Sequence, residues 1–402
     1  MPRFATMENA TQYQLRLASR MSRLGTETAF EVLNKARALE RQGKDIVHLE
    51  IGEPDFDTPH NVVEAGVNAL RKGWTHYGPS AGLPELRQVI AEYVSKTRSV
   101  PVSSDEVVVV PGGKPIIFFS ILALVDEGDE VIYPNPGFPI YESMIEYVGG
   151  RAVPVQLREE RDFGLDVKEL ASLINDRTRL VILNSPQNPT GGVLSKADIF
   201  HIADAIGERN VMVLSDEIYS RLIFEGEHFS IMSIPGFKER TILLDGFSKT
   251  YAMTGWRMGY GVMRPDLAAQ MTRLMTNSNS CTASFTQMAG IEALTGDQSS
   301  VDKMCEEFKR RRDVVVAGLN RIKGFSCRMP KGAFYVFPNI TQTGWPSKKL
   351  ASALLEEAGV ACLSGTAFGD FGEGYLRFSV ANSLENLEKA LDRIQQWTEK
   401  NL

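Results

Sequence analysis

Residues 180–191 read Leu-Val-Ile-Leu-Asn-Ser-Pro-Gln-Asn-Pro-Thr-Gly, a short apolar run that ends in a polar, proline-rich turn. The same grammar recurs on either side. Val107–Val110 ends in Pro-Gly-Gly-Lys114, and Glu130–Tyr133 ends in a stretch holding Pro134 and Pro136. Val211–Leu214 ends in Ser215-Asp216-Glu217, and Thr241–Leu244 in Asp245-Gly-Phe-Ser-Lys249. Runs that are apolar throughout, and not alternating, predict strands buried on both faces. Their alternation with helical segments predicts an α/β fold, a mostly parallel sheet covered by helices. Ligands of such sheets bind beyond the carboxyl ends of the strands. Every unusual polar cluster of this chain lies at such an end, which locates a site before any motif is considered.

Working outward, Ala29, Val32, Leu33, Ala36 and Leu39 recur at helical spacing and predict a helix over 28–42. Gly52-Glu53-Pro54-Asp55 breaks the pattern. A helix is predicted over 62–71, and Pro84 opens another at the first-turn position that proline tolerates. After about residue 300 the pattern changes. A charged helix (301–319) precedes strand-like pieces at 333–337 and 375–380 and a last helix over 384–400. This predicts a smaller α+β domain joined by the N-terminal segment. The expected division is 1–60 as N-terminal arm and part of the small domain, 61–299 as large domain, and 300–402 as small domain.

With 402 residues, 43% hydrophobic and 23% charged, the chain can bury large cores without disulfides. A net charge of −6 argues against a general nucleic-acid binder. Cys281, Cys305, Cys327 and Cys362 form no C-x-x-C pair and read as reduced thiols of a cytoplasmic protein. The most apolar run, Ile116 to Val125, is too short to span a membrane. Arg3, Arg16, Arg20 and Arg23 face a single Glu8 near the N-terminus, a weakly transit-like balance read here as an arm lying on the fold.

The most informative chemistry lies in Ser248-Lys249-Thr-Tyr-Ala-Met-Thr-Gly-Trp-Arg257. A lysine just past a buried strand is partly desolvated, so its amine can be neutral, nucleophilic and suited to a Schiff base. Asp216 ends another apolar strand, and a buried carboxylate needs a cationic partner. The protonated ring nitrogen of pyridoxal phosphate (PLP) is such a partner. Asn188 and Tyr219 can bond to that ring's hydroxyl. Gly112-Gly113-Lys114 opens a helix and can hold a phosphate with its backbone N–H groups. Arg257 can bind the phosphate bidentately, and Phe138 offers a flat face to a ring.

The chain resembles the class I PLP-dependent aminotransferases, fold type I, and most of all their bacterial aspartate aminotransferase branch. The resemblance rests on Gly52-Glu-Pro-Asp-Phe-Asp-Thr-Pro59, Asn188-Pro-Thr-Gly191, Ser215-Asp-Glu-Ile-Tyr219, Ser248-Lys249 with Arg257, and Tyr375-Leu-Arg377-Phe-Ser379. It implies a mostly parallel, seven-stranded sheet. It implies Lys249 as the Schiff-base lysine, Asp216 opposite the ring nitrogen, and Asn188 and Tyr219 at the ring hydroxyl. Gly113, Lys114, Ser248 and Arg257 would surround the phosphate. Tyr77 would reach that phosphate from the neighbouring subunit of a homodimer. Arg377 would clamp the substrate α-carboxylate beside Gly52 and Asn188. The implied reaction is ping-pong transfer of an amino group between an amino acid and a 2-oxo acid. In the branch it resembles, the lysine of Gly-Gly-Lys meets the substrate's distal carboxylate, so Lys114 implies aspartate or glutamate as donor and 2-oxoglutarate as acceptor. Two positions depart from the commoner pattern: Gly246 replaces a serine, and Phe138 a tryptophan.

Other readings stay open at this point. A lyase, synthase or oxidase can use the same scaffold, as can a transaminase for alanine, aromatic or branched donors. A PLP-binding regulator would need an added DNA-binding module, for which the first 50 residues are too short. Gly246-Phe-Ser-Lys-Thr250 lacks the last glycine of a nucleophile elbow, and Pro115 stands where a P-loop needs Ser or Thr. The five histidines show no metal-ligand spacing. The sequons at Asn9 and Asn339 carry no meaning in a cytoplasmic protein, and Lys309–Arg312 reads as a solvated helix face.

Overall fold

The computed structural model describes residues 15–402, so Arg3, Glu8 and the Asn9 sequon lie outside it. Its strands are β1 (Val47–His48), β2 (Val107–Val110), β3 (Glu130–Asn135), β4 (Arg151–Arg158), β5 (Gly164–Leu165), β6 (Thr178–Asn184), β7 (Met212–Asp216), β8 (Thr241–Gly246), β9 (Gly259–Val262), β10 (Tyr335–Val336), β11 (Val360–Ala361), β12 (Leu363–Ser364) and β13 (Leu376–Ser379).

Eight strands form one sheet in the order β2-β9-β8-β7-β6-β3-β4-β5. The pairs β3–β4, β3–β6, β6–β7 and β7–β8 are parallel; β9 runs against both its neighbours, and β5 against β4. The strand beyond the expected seven is β5, a two-residue edge. Both faces are covered. Val108 and Val110 pack with Ile116, Ile182 and Leu214. Val107 and Val109 pack with Leu86, Leu243 and Phe247. The apolar run at 116–125 falls mostly in a buried helix (Lys114–Leu124), and no described helix is long and apolar enough to cross a membrane.

Element ends differ slightly from the sequence reading. The first long helix stops at Glu40, and the next starts at His60. Helix Pro84–Arg98 has its proline at the first position and closes on Ser99 in the left-handed region. The strand expected over 333–337 narrows to Tyr335–Val336, because Ala333 has φ 56 and cannot continue a ladder. The C-terminal part contains a β10-β13-β12 antiparallel sheet and helices Ser299–Leu319 and Leu384–Asn401. Val47 and Val360 pair in the parallel β1–β11 ladder, which ties the N-terminal segment to this part.

Candidate active site

The carboxyl ends of β6, β7 and β8 deliver Asn184, Asp216 and Leu244 to a cavity of about 570 Å³. Lys249, Arg257, Arg377, Tyr219, Asn188, Ser248, Gly113, Lys114, Phe138 and Gly52 line the same space. Of the residues expected from the resemblance to hold cofactor or substrate, Tyr77 is the one that is not part of this lining. It is 91% exposed.

Asp216 is buried. Its Oδ2 accepts from Tyr141 Oη at 2.6 Å and its Oδ1 from the Ile218 N–H at 3.3 Å. Burial pushes its carboxyl up to about 6, although both bonds oppose the rise. Asn184 shapes the neighbouring turn. Its Nδ2 donates to the Asp216 carbonyl at 3.1 Å, and its Oδ1 accepts from the Asn188 N–H at 3.0 Å. Asn188 Oδ1 then accepts from Arg377 Nη1 at 3.1 Å.

Arg377, on β13, donates from Nη2 to the Glu50 carbonyl and leaves Nε buried with no partner. Its guanidinium lies 4.5 Å from the centroid of the Tyr335 ring and 4.9 Å from that of Phe368. Burial lowers its pKa, and the carboxylates of Glu27 and Glu50 favour the charged form. A buried guanidinium with an orphaned N–H is a receptor for an anion that the described residues do not supply.

Lys249 and Arg257 both ride on the connection from β8 to β9. Lys249 Nζ donates to the Gly52 carbonyl. Burial lowers the amine to about 8, and the nearby Arg377, Lys114 and Arg257 add to the fall. Arg257 has φ 54, a conformation costly for a non-glycine residue and typical of functional sites. Its Nη1 donates to the Thr254 carbonyl at 2.9 Å. A Cβ on Gly112 would stand 2.2 Å from Arg257 Nη2, so glycine is what lets the guanidinium reach the turn before helix Lys114–Leu124. At Gly246 a Cβ would approach the Gly259 Cα to 3.0 Å, a tight contact across the β8–β9 pair.

Tyr219 Oη and Tyr335 Oη are 2.8 Å apart. A Cβ on Gly52 would meet Tyr335 Oη at 2.2 Å. Phe138 meets Tyr141 edge-on, with centroids 5.8 Å apart. Lys114 Nζ lies 5.6 Å from the Phe138 centroid and pairs with Glu27. Sequence reasoning missed Tyr141, Tyr335 and Glu27. Tyr141 lies three residues after Phe138, in the helix Ile140–Val148 that follows β3, and that closeness to Phe138 was the available signal. Tyr335 and Glu27 carry no local signal.

Behind the site runs a second polar cluster. Arg98 donates from Nε to Glu217 Oε2 at 2.8 Å and from Nη2 to Asp245 Oδ2 at 3.0 Å. Glu217 and Asp245 sit beside the carboxyl ends of β7 and β8, so one guanidinium ties together the loops bearing Asp216 and Lys249.

The model of the class I and II aminotransferase family matches residues 44–394. The chain is similar to the aspartate aminotransferase of Pyrococcus horikoshii, 42% identical over 369 residues that cover 91% of this chain and 93% of that protein. It is 38% identical to aromatic-amino-acid aminotransferase 2 of Thermococcus litoralis, over 94% of this chain and 97% of that one. Among solved structures, the aspartate aminotransferase from Thermus thermophilus with maleate superposes with a TM-score of 0.92 at 38% identity, covering 95% of this chain and 100% of that chain. Matched over most of its length by the family model and by these relatives, the chain belongs to the class I and II aminotransferases.

Proposed function

We propose that this aminotransferase is PLP-dependent and takes its amino group from a dicarboxylic amino acid, aspartate or glutamate, passing it to a 2-oxo acid such as 2-oxoglutarate. One observation carries the reading: a buried carboxyl, Asp216, and an amine of lowered pKa, Lys249, line one cavity with two guanidiniums, Arg257 and Arg377.

The residues fit PLP. Asp216 has a hydroxyl and an N–H for partners but, among the described residues, no cation, and a protonated ring nitrogen would supply that charge. Arg257, lying against Gly112, and the Gly113 backbone form a cradle suited to a phosphate. Lys114 and Ser248 would join it, with Tyr77 of the partner subunit. Lys249 would hold the cofactor covalently, Asn188 and Tyr219 would orient its hydroxyl, and Phe138 would cover its ring. Bound PLP supplies an aldehyde carbon and an electron-poor ring that accepts the electron pair released at Cα.

In this reading Arg377 and Asn188 hold the α-carboxylate beside Gly52. Lys249, besides holding the cofactor, would be the base that takes the substrate's Cα proton onto its Nζ and gives it up again. Asp216 would hold the proton of the ring nitrogen. The dicarboxylate preference draws on Lys114 and on the relatives named aspartate aminotransferase. The homodimer draws on the exposure of Tyr77 outside its own chain's cavity.

Borohydride reduction of the holoenzyme followed by peptide mapping tests the assignment. The label is expected on Lys249, and Lys249→Ala should lose turnover while still binding PLP. A label on another lysine refutes the site. A panel of amino donors tests the substrate class, and a preference for alanine, aromatic or branched donors refutes it.

A further inference from the structure

Glu27 brings a carboxylate into the cation-rich cavity. It lines the cavity and pairs with Lys114 Nζ. Among the described residues, no other carboxylate pairs with Lys114. The field of Glu27 also reaches Arg377, whose charged form it favours. It therefore stands near both cations proposed to receive the carboxylates of a dicarboxylic substrate. Glu27 precedes helix Thr28–Glu40, yet its side chain makes no capping bond to that helix. Its attachment is to Lys114. With Lys114 43% and Glu27 19% exposed, the pair is accessible to an incoming ligand.

We propose that Glu27 is a specificity-determining residue, a resident carboxylate that occupies Lys114 in place of a substrate's distal carboxylate and must leave it before a dicarboxylic substrate binds there. The inference rests on the reading that Lys114 meets that distal group. Two carboxylates brought to one ammonium repel each other, so a dicarboxylic substrate binds at the expense of the resident pair. A neutral or aromatic side chain leaves the pair intact and packs along the aliphatic stem of Lys114 and the Phe138 ring. Glu27 thus sets the ratio between two substrate classes in one pocket. Its influence falls on binding, because it makes no contact with Lys249 or Asp216.

The test compares wild-type holoenzyme with Glu27→Gln, which keeps the side-chain length and removes the charge. Two ratios are read: kcat/KM for aspartate over phenylalanine, and affinity for succinate over butyrate, a pair of probes that differ by one carboxylate. Both should rise by about twofold to fivefold, the scale of one partly exposed ion pair relieved of competition, and the first mainly through KM. In a Lys114→Ala background the same substitution should move neither ratio. Glu27→Ser repeats the comparison if the glutamine variant folds poorly. Unchanged ratios, or an effect that persists without Lys114, overturn the proposal. Lys114→Ala alone separates this failure from that of the underlying reading. If it lowers aspartate selectively, the dicarboxylate reading stands and only the role of Glu27 falls. If it lowers both substrates equally, Lys114 does not meet a distal carboxylate and both fall.

Discussion

Asp216 and Glu217 are adjacent in the chain, both buried at the end of β7, and they are treated in opposite ways. Glu217 is saturated: Arg98, His228, Ser215 and Ser230 all donate to it. Burial raises its carboxyl, but the Arg98 and His228 charges overcome that and hold it well below the usual range. Asp216 receives one hydroxyl and one N–H, and burial leaves it near 6. A carboxylate that is fully paired by its own chain is an internal brace. One left short of a cation, facing a cavity, is half of a contact that a ligand completes. Burial alone does not separate the two; the partner count does.

The contrast breaks most visibly at Asp216. Asp216→Asn should lower kcat by about 100- to 10,000-fold, the usual span for a group that controls a proton in the reaction. The thermal midpoint of the cofactor-free variant should stay level or rise, because an uncompensated buried charge has gone. A variant within tenfold of wild-type turnover would put Asp216 in the same class as Glu217. The mirror experiment is Arg98→Met. It strands Glu217 and Asp245, and removing one partner of a buried pair costs about 3–5 kcal/mol. Denaturant unfolding of the holoenzyme measures this, and a loss under about 1 kcal/mol would show that the brace is dispensable.

The smallest effect is in pH dependence of the cofactor-free protein. The folded Asp216 carboxyl titrates near 6 against an ordinary 3.8, so the folded state holds the proton more tightly. Stability from this group therefore falls as pH rises from about 4 to 6, by up to about 3 kcal/mol. Glu217 has the opposite sign: its stabilisation is present above about 4.3 and is lost as pH falls towards its depressed folded value. Thermal unfolding from pH 4 to 8 should show a shallower fall over pH 4–6 in Asp216→Asn than in wild type. Asp245, also pushed up to about 6, keeps part of the slope in both. Identical profiles would mean that Asp216 is not the group short of a cation.

Much of this was legible in the sequence because the chemistry sits on local motifs at strand ends. Asp216, Asn188 and Lys249 each follow an apolar run within a few residues, and Arg257 lies eight residues beyond Lys249 on the same connection; the parallel sheet brings those strand ends together. Other members had no such signature. Arg98 ends a helix 119 residues before Glu217 and reads as an ordinary basic residue of a last turn. Tyr335 sits among Phe334, Val336 and Phe337, where an aromatic of the site is indistinguishable from one of the core. The antiparallel β9 escaped because Gly259-Tyr-Gly-Val262 is short and half glycine, which lowers its strand propensity. Glu27 stands just before the helix predicted over 28–42 with no motif around it, and only the folded chain carries it to Lys114.

Gly246 and Gly259 are paired partners across β8 and β9, so the chain from Phe247 to Met258 leaves and re-enters the sheet at one point. It is an Ω-loop, closed at its neck by ladder hydrogen bonds and packed by its own side chains, with Phe247 and Tyr251 5.9 Å apart. Both the amine of Lys249 and the guanidinium of Arg257 belong to this one loop. The covalent and ionic tethers proposed for the cofactor therefore form a single mechanical unit: any displacement of the neck carries the two together, preserving the span between them while changing their shared position against Asp216.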